Sequence, residues 1–126
     1  MSNSVSPDGF NFISLPQAVA MTSLYRKERD SILKPELVGQ NILPICETFD
    51  RKAFDYLLGE GGCTGLRFYL GMDDKLNVHI IAVGINEKGD DMLPLMTSAP
   101  GDPGDQIVEN GQRCPLDCPP PSPLNE

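Results

Sequence analysis

The chain has 126 residues, of which 40% are hydrophobic and 22% charged, and this composition is typical of one small globular domain with a modest core. Its formal net charge of −8 disfavours nucleic acid as a partner, because binding to a phosphate backbone usually requires a basic patch. We expect neither a signal peptide nor a membrane span, since no basic flank precedes an apolar segment and no run of about eighteen apolar residues occurs. The expected location is the cytoplasm.

The N-terminal part predicts a flexible arm over residues 1–12, followed by a helix. Ser14 is a good N-cap, Pro16 lies in the first turn, and Gln17 completes the spacing of a capping box. Lys34 precedes a proline, so the helix should end near it. A helical spacing predicts one packed face, formed by Leu15, Ala18, Val19, Met21, Thr22, Tyr25 and Ile32.

The next segment predicts a weak strand and a short helix. Residues 42–47 can form an edge strand, because Pro44 excludes a central position in a sheet. Asp50 can cap the helix that follows, and Phe49 and Phe54 have the spacing of a hydrophobic staple. A glycine stands where this helix should end.

The centre of the chain, residues 63–96, predicts a three-stranded antiparallel meander that residues 42–47 could widen to four strands. The segments "CTGLRFYLG", "LNVHIIAVGI" and "MLPLM" are separated by the turn sequences "MDDK" and "NEKGDD". Pro94 places the third strand at an edge. If the first two strands pair about "MDDK", residue numbers that face each other sum to about 146, and Arg67 lies opposite a neutral His79.

One face of this sheet is the candidate binding surface. Arg67, Tyr69 and His79 share it by alternation, and either a helix covers the face or it binds a protein partner. The carboxylates of the two turns are expected to be solvated and not to form one site, namely Asp73, Asp74, Asp90 and Asp91. Cys63 lies in a glycine cluster typical of a turn, and it lacks a base and a third group for catalysis.

The C-terminal segment, residues 97–126, predicts an extended tail containing Cys114 and Cys118. The cysteines are spaced C-x-x-x-C, which is atypical of zinc and thioredoxin sites, and they could meet only if "CPLDC" bends. A turn at residues 115–117 would lead into a stiff rod at Pro119, Pro120 and Pro121. An ordered strap on this domain or on a neighbour, a disordered end, a metal site and a disulfide all remain open. Cys63, Cys46 or His79 are conceivable third ligands.

The strand "GGCTGLRFYLG", followed by "VHIIAVGINEKGDDM", and the end "CPLDCPPPSPLN" resemble a group of short uncharacterised bacterial proteins with a G-C-x-G-hydrophobic-R-x-Y-x-G strand and a tail of cysteines and prolines. The resemblance implies a shared architecture and no activity.

The sequence therefore predicts an acidic α+β domain of two helices, a three- to four-stranded meander and a proline-rich tail. We interpret it as a non-enzymatic module for protein interaction or self-association, without a cofactor. The candidate partner-binding residues are Arg67, Tyr69, His79, Pro119, Pro120 and Pro121. The alternative is a metal-binding or thiol-redox protein that uses Cys114, Cys118 and Cys63. A small enzyme with a site around Arg67, Tyr69 and His79 is the third hypothesis.

Overall fold

A computed structural model describes residues 9–126 and folds them into a small α+β domain, as the sequence predicts. Within this range no helix has the length and apolar character needed to cross a bilayer. The first eight residues of the predicted arm, 1–8, lie outside the described residues. In chain order, the elements are α1 (Leu15–Glu28), a 3₁₀ turn (Pro35–Leu37), β1 (Cys46–Thr48), α2 (Arg51–Gly59), β2 (Cys63–Met72), β3 (Val78–Asn86), β4 (Asp91–Met92) and β5 (Gln112–Cys114).

Helix α1 begins at the predicted capping box. The Gln17 N–H donates to the Ser14 hydroxyl at 3.1 Å, and the Gln17 side chain accepts from the Ser14 N–H at 2.8 Å. The helix ends at Glu28, earlier than predicted, and irregular turns continue towards Lys34. The predicted packed face is wrong in its extent, since α1 buries no residue completely and Met21 is 66% exposed.

Helix α2 confirms the predicted cap and staple. The Asp50 side chain accepts from the Lys52 N–H at 2.8 Å, and the rings of Phe49 and Phe54 are stacked with centroids 5.4 Å apart. Phe54 also meets Phe68 of β2 edge-on, with ring centroids 5.9 Å apart. Helix α2 therefore packs on the face of the sheet that carries Phe68.

The main sheet has the order β2-β3-β4 and is antiparallel throughout, which confirms the meander. Its predicted register is wrong, because Arg67 lies opposite Val83 and His79 lies opposite Gly71. The turn is longer than "MDDK". The Asp73 N–H donates to the Asn77 carbonyl, and the Asp73 carboxylate accepts from the Asn77 N–H, so the loop closes at Asn77. Strand β4 has two residues and ends before Pro94.

Residues 42–47 do not widen the meander, and this part of the prediction is wrong. Strand β1 starts after Pro44, which has no N–H to donate, and pairs with β5 in a separate two-stranded sheet. Cys46 lies opposite Cys114, and Glu47 lies opposite Arg113. The C-terminal segment thus supplies the partner strand for β1.

The outer edge of β3 binds several parts of the chain. The Val78 N–H donates to the Ile42 carbonyl at 2.8 Å, and the Ile80 N–H donates to the Glu47 carboxylate at 2.9 Å. Ala82 exchanges two backbone hydrogen bonds with Val108, and β4 pairs with the end of β3. The buried hydrophobic residues of the described chain are Ile42, Leu57, Ala82, Val83 and Cys114. Because Val108 and Cys114 belong to residues 97–126, that segment is part of the folded body.

Candidate functional site

Arg67 and Tyr69 of β2 hold a carboxylate on one face of the sheet. The Arg67 guanidinium donates to Asp91 at 2.6 Å and to the Gly89 carbonyl at 2.9 Å, and the Tyr69 hydroxyl donates to the other Asp91 oxygen. The hydrogen bond from Tyr69, followed by that from Arg67, lowers the pKa of Asp91. The same carboxylate raises the pKa of Tyr69. The prediction that Asp91 is a solvated turn residue is wrong, since the pairing of β4 brings it to Arg67.

His79 of β3 lies between two carboxylates and not beside Arg67, which corrects the predicted neighbour. Its Nε2 is 2.8 Å from Asp73 and its Nδ1 is 3.6 Å from Glu109. The hydrogen bond with His79, supported by backbone N–H groups of the turn, lowers the pKa of Asp73 to about 2. The Asp73 carboxylate therefore stabilises its own turn and also pairs with His79.

These groups border an open groove of about 280 Å³. The described residues that line it are Gly71, Met72, Asp73, His79, Ile81 and Glu109. None of these six is a serine, threonine, cysteine or lysine, so the groove places no hydroxyl, thiol or amine nucleophile beside the His79–Asp73 pair.

The face that carries Arg67, Tyr69 and His79 is opposite the face under α2. The interpretation in which a helix covers these three residues is therefore wrong. The structure divides them into two hydrogen-bonded clusters, one around Asp91 and one around Asp73. Tyr69 remains 43% exposed on this face.

The cysteine pair of the tail forms a disulfide. Cys114 and Cys118 are bonded, with their Cα atoms 4.4 Å apart, and residues 115–117 make the predicted bend. Cys46 is the cross-strand neighbour of Cys114 and carries a free thiol. Cys63 does not join them, because its thiol contacts the Gly65 carbonyl at the start of β2. Over residues 9–126, no group of three or more histidine, cysteine, aspartate or glutamate side chains is arranged to hold a metal ion.

The prolines after the disulfide lead to the N-terminal helix of the same chain. Arg26 of α1 donates to the carbonyls of Leu124 and Glu126, each at 2.5 Å. The Asn125 side chain donates to the Pro120 carbonyl at 3.2 Å and closes the last turn. Pro119 is half-buried, whereas Pro120 and Pro121 are exposed. The tail is thus an ordered strap on α1.

Arg113 and Glu47 were not singled out from the sequence, although they connect the two sheets. The Arg113 guanidinium donates to the carbonyls of Val78 at 2.9 Å, Asn41 at 3.0 Å and Ile42 at 3.1 Å. No motif marks Arg113, and its only sequence signal is that it is the single basic residue in residues 97–126. Its partners could be identified only from the fold.

The chain exposes more surface than a compact monomer of its size. Its accessible area is 9381 Å² at a mass of 13.7 kDa, whereas a typical folded monomer of this mass exposes roughly 6,600 Å². The area of residues 1–8 cannot exceed about 1,200 Å² even in a fully extended chain, so at least about 1,600 Å² of the excess of about 2,800 Å² belongs to residues 9–126. Large exposed apolar side chains from three regions contribute: Met21 and Leu24 of α1, Phe68, Leu70 and Met72 of β2, and Leu93, Leu95 and Met96 after β4.

No protein family model, curated protein or solved structure matches this chain.

Proposed function

We propose that this protein is a non-enzymatic interaction or assembly module, and that a protein partner covers the apolar surface it exposes. The single observation that carries the proposal is the surface excess, of which about 1,600 Å² lies within the described residues. A standard protein interface buries about 800 Å² on each partner, so the excess is sufficient for a stable complex.

The composition of the exposed surface supports the same proposal. Leu70 is 78% exposed on the face of β2 that carries Phe68, and Tyr69 is 43% exposed on the opposite face, which also carries Arg67. Aromatic residues and arginine are enriched where protein interfaces have their largest energies. We assign Arg67, Tyr69 and His79 to the polar border of the interface, and the exposed Pro120 and Pro121, with Pro119, to a second rigid contact on α1.

Site-specific photo-crosslinking tests this function. A photoreactive amino acid at Leu70, at Leu95 or at Met21 should crosslink to one defined protein, which mass spectrometry would identify. The matched control is the same amino acid at Lys88, an exposed polar residue in the turn after β3. A defined crosslinked species from at least one apolar position and none from Lys88 supports the proposal. Equal labelling at all positions, or no protein adduct at any of them, would contradict it.

A second candidate function is thiol–disulfide exchange, because Cys114 of the Cys114–Cys118 disulfide is buried whereas Cys118 is exposed. A substrate thiolate would attack the Sγ of Cys118, form a mixed disulfide and release the Cys114 thiolate. A second substrate thiol would then release oxidised substrate and leave both protein cysteines reduced. In the cytoplasm, the location that we propose, disulfides are rare, and those that form are typically transient and catalytic or redox-sensing, which favours this candidate over a structural cystine.

Titration in glutathione redox buffers, read by alkylation and mass spectrometry, tests the exchange. We expect Cys114 and Cys118 to interconvert between thiols and disulfide near the glutathione potential, while Cys63 stays alkylatable throughout as the internal control. A disulfide that resists the most reducing buffer, or thiols that never re-form it, would exclude this activity.

A further inference from the structure

Strand β2 has a free outer edge. In the hydrogen-bonded ladder with β3, the N–H groups of Val78, Ile80 and Ala82 point away from β2, so the intervening residues of β3 bond to it. By the same alternation, the backbone groups of Leu66, Phe68 and Leu70 point outwards from β2. Among residues 9–126, none donates to or accepts from these outward groups.

This edge lacks the usual protection against pairing. Natural edge strands are commonly short, or they carry lysine, proline or a bulge that blocks a further strand. Strand β2 has ten residues, contains neither proline nor lysine, and is irregular only between Cys63 and Gly65. Its one charge, Arg67, is neutralised by Asp91. The edge is therefore available for pairing along almost its whole length.

We infer that β2 pairs antiparallel with β2 of a second copy of this chain, about a two-fold axis at Phe68, and forms one continuous six-stranded sheet. This inference rests on the proposed function and names the partner. In this register, Phe68 lies opposite Phe68, and Leu66 lies opposite Leu70 in both directions. These three residue pairs exchange about six backbone hydrogen bonds.

The side chains favour this register. Leu70, which is 78% exposed in one chain, comes next to Leu66 of the second copy, which is already half-buried. Arg67 comes next to Tyr69 of the second copy, a pairing that suits cation–π contact. A register centred on Arg67 would instead place two arginines directly opposite each other, which is destabilising. Of the three exposed apolar regions, this dimer involves the one on β2, which contains Phe68, Leu70 and Met72.

Light scattering coupled to size-exclusion chromatography of the full chain tests the dimer. The wild-type protein should have twice the monomer mass, and Leu70→Lys should weaken the dimer ~10-fold or more by placing a charge beside an apolar partner. Ile32→Lys is the matched control, because Ile32 is 76% exposed but lies outside β2, and it should remain dimeric. Circular dichroism of both variants checks that the fold is intact.

Disulfide trapping tests the register. In a Cys46→Ser, Cys63→Ser background, Phe68→Cys should form a covalent dimer under mild oxidation, whereas Leu70→Cys should not, since its opposite residue is Leu66. A monomeric wild-type chain at all concentrations, or a dimer that Leu70→Lys leaves unchanged, would overturn the inference. If the monomer still crosslinks from Leu70 to a different protein, the interaction function stands and only the second copy is excluded.

Discussion

Glu47 and Arg113 lie opposite each other in the β1–β5 pair, and both bond to the backbone of β3. The Glu47 carboxylate accepts from the Ile80 N–H, and the Arg113 guanidinium donates to the Val78 carbonyl, each at 2.9 Å. Arg113 additionally binds the carbonyls of Asn41 and Ile42. One cross-strand pair thus attaches the small sheet and the loop before it to the edge of the main sheet.

Replacing Arg113 should be strongly destabilising. Arg113→Ala leaves three partly buried carbonyls without a donor, and we expect a loss of about 2–4 kcal/mol in the free energy of unfolding. Urea denaturation would measure it. Arg51→Ala is the control, because Arg51 forms only an exposed helical pair with Asp55, and it should cost less than about 0.5 kcal/mol. Equal effects of the two substitutions would contradict the role of Arg113 in attaching the small sheet to β3.

Gly111 should not tolerate a methyl group. A Cβ at this position would lie 2.7 Å from the Phe49 ring and 2.8 Å from the Glu47 carboxylate. Gly111→Ala should therefore destabilise the fold by about 1–3 kcal/mol in thermal or urea unfolding. Gly61→Ala, where no atom lies within 4 Å, should be close to neutral. A stable Gly111→Ala protein would show that β5 does not approach β1 so closely.

The link between Asp73 and His79 should be visible in acid titration. Since the pKa of Asp73 is lowered to about 2, its contribution to stability is present above the unfolded pKa near 3.8 and is lost as the pH falls towards 2. His79→Ala removes the first cause of the shift and should raise the pKa of Asp73. Carboxyl ¹³C NMR across this range would measure both values. An unchanged Asp73 titration in His79→Ala would contradict the pairing.

Tyr69 should titrate above its ordinary value because its hydroxyl donates to Asp91. Its raised pKa means that the associated stability is present below pH 10 and is lost as the pH rises through the folded value. Asp91→Asn should shift the titration of Tyr69 downwards, as followed by the NMR signal of its Cζ atom. Asp90→Asn, in the same turn but without this contact, is the control. Identical Tyr69 titrations in both variants would show that Asp91 is not the cause.

Two C-terminal truncations should show that the last residues of the tail contribute little to stability, whereas residues 97–118 are required for folding. A chain ending after Cys118 loses the contacts of Arg26 with Leu124 and Glu126 and should remain folded, with a loss of about 1 kcal/mol or less. A chain ending after Met96 also loses β5, Val108 and the Arg113 contacts, and we expect it to be unfolded. Amide dispersion in NMR spectra would distinguish the two states. A folded protein lacking residues 97–126 would mean that β3 does not require these partners.

Features of the sequence that depend on neighbouring residues predicted the local structure correctly. The capping box at Ser14 and Gln17, the cap at Asp50 and the staple of Phe49 with Phe54 each require groups within five positions, and all are present. Alternation placed Arg67, Tyr69 and His79 on one face for the same reason. The α+β class follows from these local signals.

Tertiary structure decided what lies far apart in the chain. The register of β2 with β3 depends on how the Asp73–Asn77 turn closes, and one different closure changes the partner of every residue in the ladder. Arg113 meets the carbonyls of Asn41 and Ile42 across 72 and 71 positions, and no periodicity records such a contact. The sequence by itself therefore determined where the two helices begin, where β2 and β3 lie and which faces their residues take, through short-range hydrogen bonding and alternation. The pairing of β1 with the tail, the position of Asp91 beside Arg67 and the free edge of β2 depend on which distant segments form hydrogen bonds with each other, and only the tertiary structure decides this.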